Sequence, residues 1–257
     1  SAARTLTINV TNAGAAYDFA GTLRNRAAAG GGALNLVKDG AGSQYLSGTN
    51  VYSGTTTVDG GALIATHALA FPVYTNVADI GGAREYAFWQ NLTANAGGAL
   101  GVRGGRANEW QPGEIDTLLT NANFNSGSFF AMDVDTGQTF TYGSDISNSP
   151  ISSVQGLVKL GSGTLNLTGG LSLPEDMGVL RGVLNMSNFA GNAVARDVGV
   201  YNGATLNVIQ GLATFGDMEA EGTIRFDGVS NVVGDVASLG GAGGRTVNFY
   251  SDFNSVS

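Results

Sequence analysis

Thirty-one residues of this chain occur twice. Leu36 to Thr66, LVKDGAGSQYLSGTNVYSGTTTVDGGALIAT, aligns without a gap on Leu157 to Ser187, LVKLGSGTLNLTGGLSLPEDMGVLRGVLNMS, at a constant offset of 121 residues. Ten positions are identical: Leu36 and Leu157, Val37 and Val158, Lys38 and Lys159, Gly40 and Gly161, Gly42 and Gly163, Leu46 and Leu167, Gly48 and Gly169, Val58 and Val179, Gly61 and Gly182, Leu63 and Leu184. All but the lysine pair are apolar residues or glycines, so the copy preserves inward packing and turns while outward positions vary. In the second copy Gly161, Gly163, Leu167, Gly169, Gly182 and Leu184 are accordingly read as structural, like their counterparts in the first. Phe19 and Phe140 share the offset and predict that each unit includes a preceding strand.

A shorter period runs inside the units. Leu46 to Leu63 and Leu167 to Leu184 are both 17 residues apart, and Leu184, Leu206, Ile224 and Val247 follow at spacings of 22, 18 and 23. Each is the centre of a short alternating run followed by Gly, Asn or Asp. Strands recurring at that interval predict a β-solenoid, in which the stripe of each run is buried against the next turn. A β-sandwich also has short strands, but its turn signals fall every 8–12 residues or so and it gives no reason for the internal copy. The expectation is an all-β chain, a parallel β-helix spanning 1–257. Its repeat units lie at about 6–66 and 127–187, with a loop-rich insertion at about 67–126 and C-terminal turns at 188–257.

Composition agrees: 41 glycines and 12% charged residues favour tight turns and disfavour helices. A net charge of -8 without a basic cluster argues against nucleic acid and against an anionic membrane surface. No apolar run is long enough for a membrane-spanning helix, and with no cysteine there is neither disulfide nor thiolate site.

At Gly40, Gly42, Leu46, Gly48, Asn50, Tyr52, Ser53, Gly54, Thr55, Thr56, Val58, Gly60, Gly61 and Leu63 the sequence resembles the passenger-associated transport repeat of autotransporters. That pattern runs roughly as KxGxGxLxLxGxNxYSGxTxVxGGxL. The second copy keeps its first half, and LSLPEDMGV stands where the pattern has NxYSGxTxV. The resemblance implies a right-handed parallel β-helix on the exterior of a bacterial cell. No barrel-like strand series follows Val247, so a processed or excised passenger is expected, or a relative that uses the repeat without that secretion route.

Candidate chemistry is sparse. His67 is the single histidine, which excludes a multi-histidine metal site and leaves one residue for any Ser/His/Asp arrangement; a turn residue is expected. Asp217, Glu219 and Glu221 alternate along a run, placing three carboxylates about 7 Å apart on one strand face, a weak candidate for Ca²⁺ or for a lyase-like groove. Arg181, Arg196 and Arg225 would be the bases of such a lyase, although arginine stays protonated. Asp133, Asp135 and Gly137 resemble the start of a calcium loop without its distal ligands, and Gly240 to Arg245 forms a glycine-rich turn. Arg106 to Ile115 reads as a protruding loop carrying Trp110, and Tyr86, Phe88, Trp89 and Trp110 are expected either to stack on sugars or to cap the coil. Neither terminus shows a helical cap. The functional expectation is a non-catalytic, structural or adhesive surface module, without cofactor, that self-associates through the coil's ends or edges. The alternatives are a carbohydrate-active β-helix enzyme and a glycan-binding adhesin.

Overall fold

The computed structural model describes residues 2–25, 32–72, 89–149, 152–187, 192–229, 236–237 and 246–249. The chain winds as successive turns of parallel strands. The first four turns each add one strand to a five-stranded sheet and one to a ten-stranded sheet: β1 (Arg4–Asn9) and β2 (Ala16–Phe19), β3 (Leu34–Asp39) and β4 (Ser43–Leu46), β5 (Thr56–Val58) and β6 (Gly61–Ala65), β7 (Leu92–Ala94) and β8 (Gly98–Arg103). A helix, α1 (Pro112–Asn121), follows. Then β9 (Asn123–Phe124) completes the short sheet and β10 (Phe129–Asp133) extends the long one.

The next strands are β11 (Thr139–Tyr142), β12 (Ile146–Ser149), β13 (Ser152–Ser153), β14 (Gly156–Leu160), β15 (Thr164–Leu167), β16 (Leu171–Ser172), β17 (Met177–Val179), β18 (Val183–Ser187) and β19 (Asn192–Ala195). They lead to β20 (Val198–Val200), β21 (Thr205–Phe215), β22 (Met218–Ala220), β23 (Thr223–Val229), β24 (Val236–Ala237) and β25 (Thr246–Phe249). The long sheet runs β2-β4-β6-β8-β10-β14-β17-β20-β22-β24, and a third sheet stacks β11, β15, β18, β21, β23 and β25. Among the described strands, β12 with β13 is the one antiparallel pair. This is the all-β parallel β-helix expected from the repeat.

Stacking produces the core directly. Gln44, Leu63, Leu100, Phe130, Leu157, Met177, Val198 and Met218 are successive register partners in the long sheet, and all are buried. Each apolar member is covered by the turns above and below, contributing roughly 1.5–3 kcal/mol by burial. Leu184, Leu206, Ile224 and Val247 are likewise register partners, as their spacing predicts.

Two expectations are corrected. The 17-residue spacing of Leu46 and Leu63 is not a turn of the coil: Leu46 pairs with Ala65, and Leu63 with Gln44. Leu167 likewise pairs with Met186, and Leu184 with Leu165. Side chains alternate with period two, so a slip of two residues leaves the inward pattern unchanged and the sequence cannot reveal it. The two copies also occupy different walls. Lys38 lies in β3 of the short sheet, whereas Lys159 lies in β14 of the long one.

The second correction is the supposed protruding loop. Trp110 is fully buried against Trp89 (ring centroids 5.1 Å apart) and Phe71 (5.8 Å), and the chain continues into α1. Pro112 opens the helix, the Glu114 carboxylate accepts the Gln111 N–H at 3.0 Å, and Ile115, Leu118 and Leu119 face the core. The capping box outweighs the glycine-rich context. Trp89 is equally buried, so neither tryptophan is a sugar platform. Tyr86, Phe88 and Gly240 to Arg245 lie outside the described residues.

Candidate binding face on the long sheet

The repeat residues serve the scaffold. Lys38 and Lys159 are fully buried, pointing inward at the corner between strands. The Lys38 ammonium donates to the carbonyls of Asp39, Gly40 and Gly60, each at 2.9 Å. Lys159 donates to those of Leu160, Gly161 (2.8 Å) and Arg181 (3.2 Å). Three donors meet three carbonyls that the tight turn gathers at one point, so the one polar identity in the repeat is a corner clamp. Burial pushes the Lys159 amine down to about 8 and also lowers Lys38. Gly40 and Gly161 hold positive φ at these corners (77° and 69°), which glycine adopts without cost.

The other repeated glycines of the second copy sit where one turn presses on the next. Gly163 leaves no room for a side chain against the Asp135 and Gln138 carbonyl oxygens, and Gly169 none against that of Ser144. Gly182 lies one turn on, over the Gly163 carbonyl, also with positive φ (67°). None of the three lies on an outer depression of the coil described below, so their part is close stacking and not ligand contact.

Asn50 staples three turns: its Oδ1 accepts the Leu23 N–H at 2.8 Å and its amide donates to the Ala70 carbonyl. The buried Tyr52 hydroxyl bonds the Thr56 hydroxyl. In the second copy the positions of Asn50, Tyr52 and Thr56 are Leu171, Leu173 and Met177, all buried. Apolar contacts replace the hydroxyl pair and the staple, which is why that copy loses the second half of the pattern.

The outer face of the long sheet is different in kind. Ala62, Ile64, Ala99 and Ala131 alternate with the core residues and form a second apolar cluster there, flanked by Tyr45, Phe129 and Leu160. Two depressions lie along it. The first, about 370 Å³, is bounded by Asp18, Tyr45, Ser47, His67 and the segment Arg106 to Glu109. The Arg103 guanidinium sits 4.6 Å from the centre of the Tyr45 ring and pairs with the buried Asp133 at 2.6 Å and with Asp135 at 3.5 Å. Arg106 pairs with Asp135 at 2.6 Å and with Glu109 at 3.2 Å. Burial, then Asp133, pushes the Tyr45 phenol up to about 12. Burial raises the Glu109 carboxyl as well, against the pull of Arg106. Burial opposes the Arg103 cation, but Asp133 and Asp135 outweigh it and raise its pKa.

The second depression, about 400 Å³, has Gly178 and Gly199 on its floor, Leu180 and Tyr201 beside them, and Asp176, Asp197, Asp217 and Glu219 around it. Asp217 therefore belongs to a column with Asp176 and Asp197 on successive turns, and its N–H donates to Asp197 at 3.0 Å.

The sequence-derived candidates distribute as follows. Asp133 and Asp135 pair with Arg103 and Arg106, and Gly137 closes the turn (φ 75°). Strand β22 covers only Met218–Ala220, so Asp217 and Glu221 flank it; among the described residues no three His, Asp or Glu side chains gather to hold a metal. Arg196 pairs with Glu175 at 3.0 Å and Asp176 at 2.8 Å, Arg181 stands at the corner after β17, and Arg225 lies on the third sheet. Arg196 thus borders the depression lined by Asp217 and Glu219 through its pairing with Asp176, while Arg181 and Arg225 are not among that depression's lining residues. His67 precedes a 3₁₀ turn at Ala68–Ala70 and its Nε2 lies 3.0 Å from the Ser47 carbonyl. The cleft residues were missed because they are whole turns apart in sequence and form no local motif.

Comparison with the curated proteins and with the solved structures gave no match. The family model of the passenger-associated-transport-repeat matches residues 36–65 and 157–172. The second match takes in Gly161, Gly163, Leu167 and Gly169 and stops where Leu171 to Met177 abandon the staple and hydroxyl pair, so Gly182 and Leu184 lie beyond it. The duplicated stretch that winds both halves of this coil is a passenger-associated transport repeat, complete in the first copy and truncated in the second.

Proposed function

We propose that the chain is a non-catalytic structural and adhesive module of a bacterial cell surface, associating with further copies through the ends of its coil. Passenger-associated transport repeats support the setting. The observation that carries the association is the bare first turn. Its core-facing Leu6, Tyr17 and Phe19 are 38%, 60% and 37% exposed, while Leu36 and Leu46, the register partners of Leu6 and Phe19, are fully buried. Among the described residues no strand pairs with the outer edges of β1 and β2. An uncovered core and two free strand edges are the surface onto which another coil end adds by backbone pairing.

Negative-stain microscopy and sedimentation at two protein concentrations test this. The expected result is concentration-dependent rods or layers, lost in Leu6→Asp/Phe19→Asp. Monomers at high concentration, or assembly indifferent to those substitutions, would overturn it.

A further inference from the structure

The cleft against the Arg106 to Glu109 segment borrows Ala16, Tyr17 and Asp18 from the first turn, and several of its polar side chains are bonded to one another. The Arg106 N–H and guanidinium both donate to Glu109, at 3.1 and 3.2 Å. The Trp110 N–H returns to the Arg103 carbonyl at 3.1 Å, tying the segment to β8. On the opposite side, Ser47 donates to Asp18 at 2.8 Å. A volume of about 370 Å³ accommodates a small ligand of one or two rings.

We propose that this cleft binds an uncharged glycan. Guanidinium, carboxylate, amide, hydroxyl and imidazole groups surround it, and the guanidinium, carboxylate, hydroxyl and imidazole groups are already held by hydrogen bonds within the chain, so part of their side-chain freedom is lost before binding. Sugar hydroxyls both donate and accept, so they can enter such a network without leaving a charge unpaired. The charge balance selects against anions. Arg103 and Arg106 face four carboxylates, Asp18, Glu109, Asp133 and Asp135, so sialylated or uronate sugars meet net repulsion where neutral ones do not. Tyr45 and Arg103 line it together, the guanidinium standing 4.6 Å over the ring, so an aromatic edge and a hydrogen-bond donor meet a sugar at one place.

The proposal gives the adhesive part of the surface-module reading a ligand class and rests on it. The test is an array of neutral hexose and N-acetylhexosamine oligosaccharides beside their sialylated and uronate counterparts, followed by titration calorimetry with the strongest binder. The full chain is compared with Arg106→Gln, Asn108→Ala and, at the distant depression, Glu219→Gln. Neutral glycans should bind, tenfold or more weakly in each cleft variant, as expected for losing one or two hydrogen bonds to the sugar, and unchanged in Glu219→Gln. Binding confined to acidic glycans, equal affinity in folded cleft variants, or silence across the neutral panel overturns the proposal. Particle size on the same samples separates the two readings. Silence with intact assembly removes the cleft alone, whereas binding by dispersed monomers removes self-association alone.

Discussion

Replacing Lys159 by Met removes the donor that closes one corner of the coil and takes a hydrogen bond from each of the carbonyls of Leu160, Gly161 and Arg181. Even at the lower end of about 1 kcal/mol per lost bond, the variant should lose about 3 kcal/mol at neutral pH. A sharper signature is the pH dependence. Burial holds the folded amine at about 8 against 10.5 for an ordinary lysine. Because the folded pKa is depressed, the unfolded chain binds the extra proton in this window. The cost of burying the charge, separate from the three hydrogen bonds, is absent above 10.5 and fully imposed once pH falls through 8, so the stability that deprotonation brings is lost over that window. Linkage then gives a gain in unfolding free energy of about 2 kcal/mol between about pH 7 and pH 9.5. Buried Tyr45, Tyr52 and Tyr142 have raised pKa values and oppose this only where unfolded tyrosine ionises, near 10. Urea unfolding followed by tryptophan fluorescence, with wild type and Lys159→Met compared at each pH, isolates the effect. Parallel pH profiles for the two proteins would refute the clamp as a buried ammonium.

Other substitutions read out other parts of the scaffold. Gly48→Ala places a Cβ 2.0 Å from the Gly21 carbonyl oxygen, so it should cost more than about 2 kcal/mol, whereas Gly60→Ala, with its nearest neighbour at 3.3 Å, should be far milder; thermal melts compare them. Tyr52→Leu should destabilise by about 1–3 kcal/mol by stranding the Thr56 hydroxyl, and adding Thr56→Met, as in the second copy, should restore part of it in a double-mutant cycle. Asn185→Ala breaks the amide ladder Asn166–Asn185–Asn207 on the third sheet, bonded at 2.8 and 2.7 Å, and should lower stability by about 1–2 kcal/mol and speed hydrogen exchange in β15 and β21.

The coil was legible because its signal is redundant: Leu184, Leu206 and Ile224 each announce a turn, and errors at one are corrected by the next. Register within a turn was not legible, since Leu63 and Ala65 both face inward and either could pair with Leu46. The helix had a local signal in Gln111, Pro112 and Glu114, overridden by glycine-rich surroundings. Lys38 was visible as an identity but its role was not, because only the folded corner gathers three carbonyls around one ammonium. The cleft was the least legible of all. Asp18, Tyr45, His67, Arg103 and Glu109 become neighbours only through the stacking of turns, so a sequence window sees them singly.

The two copies of the repeat stand in different walls, and this makes wall identity a matter of where the copy falls along the coil and not of the repeated code: β7 and β8 before α1 and β9 and β10 after it keep the same walls. Upstream of α1 the long sheet takes the second strand of the repeat, β4; downstream it takes the first, β14. The decorated exterior is therefore a splice, with the Arg103 network written on one half of the unit and the Asp176–Asp197–Asp217 column on the other. Shifting the second copy by one strand, so that β14 took the wall of β3, would leave the chain able to coil yet rotate the lower outer surface one wall around the axis. Two features that now share a single stripe would then look in different directions.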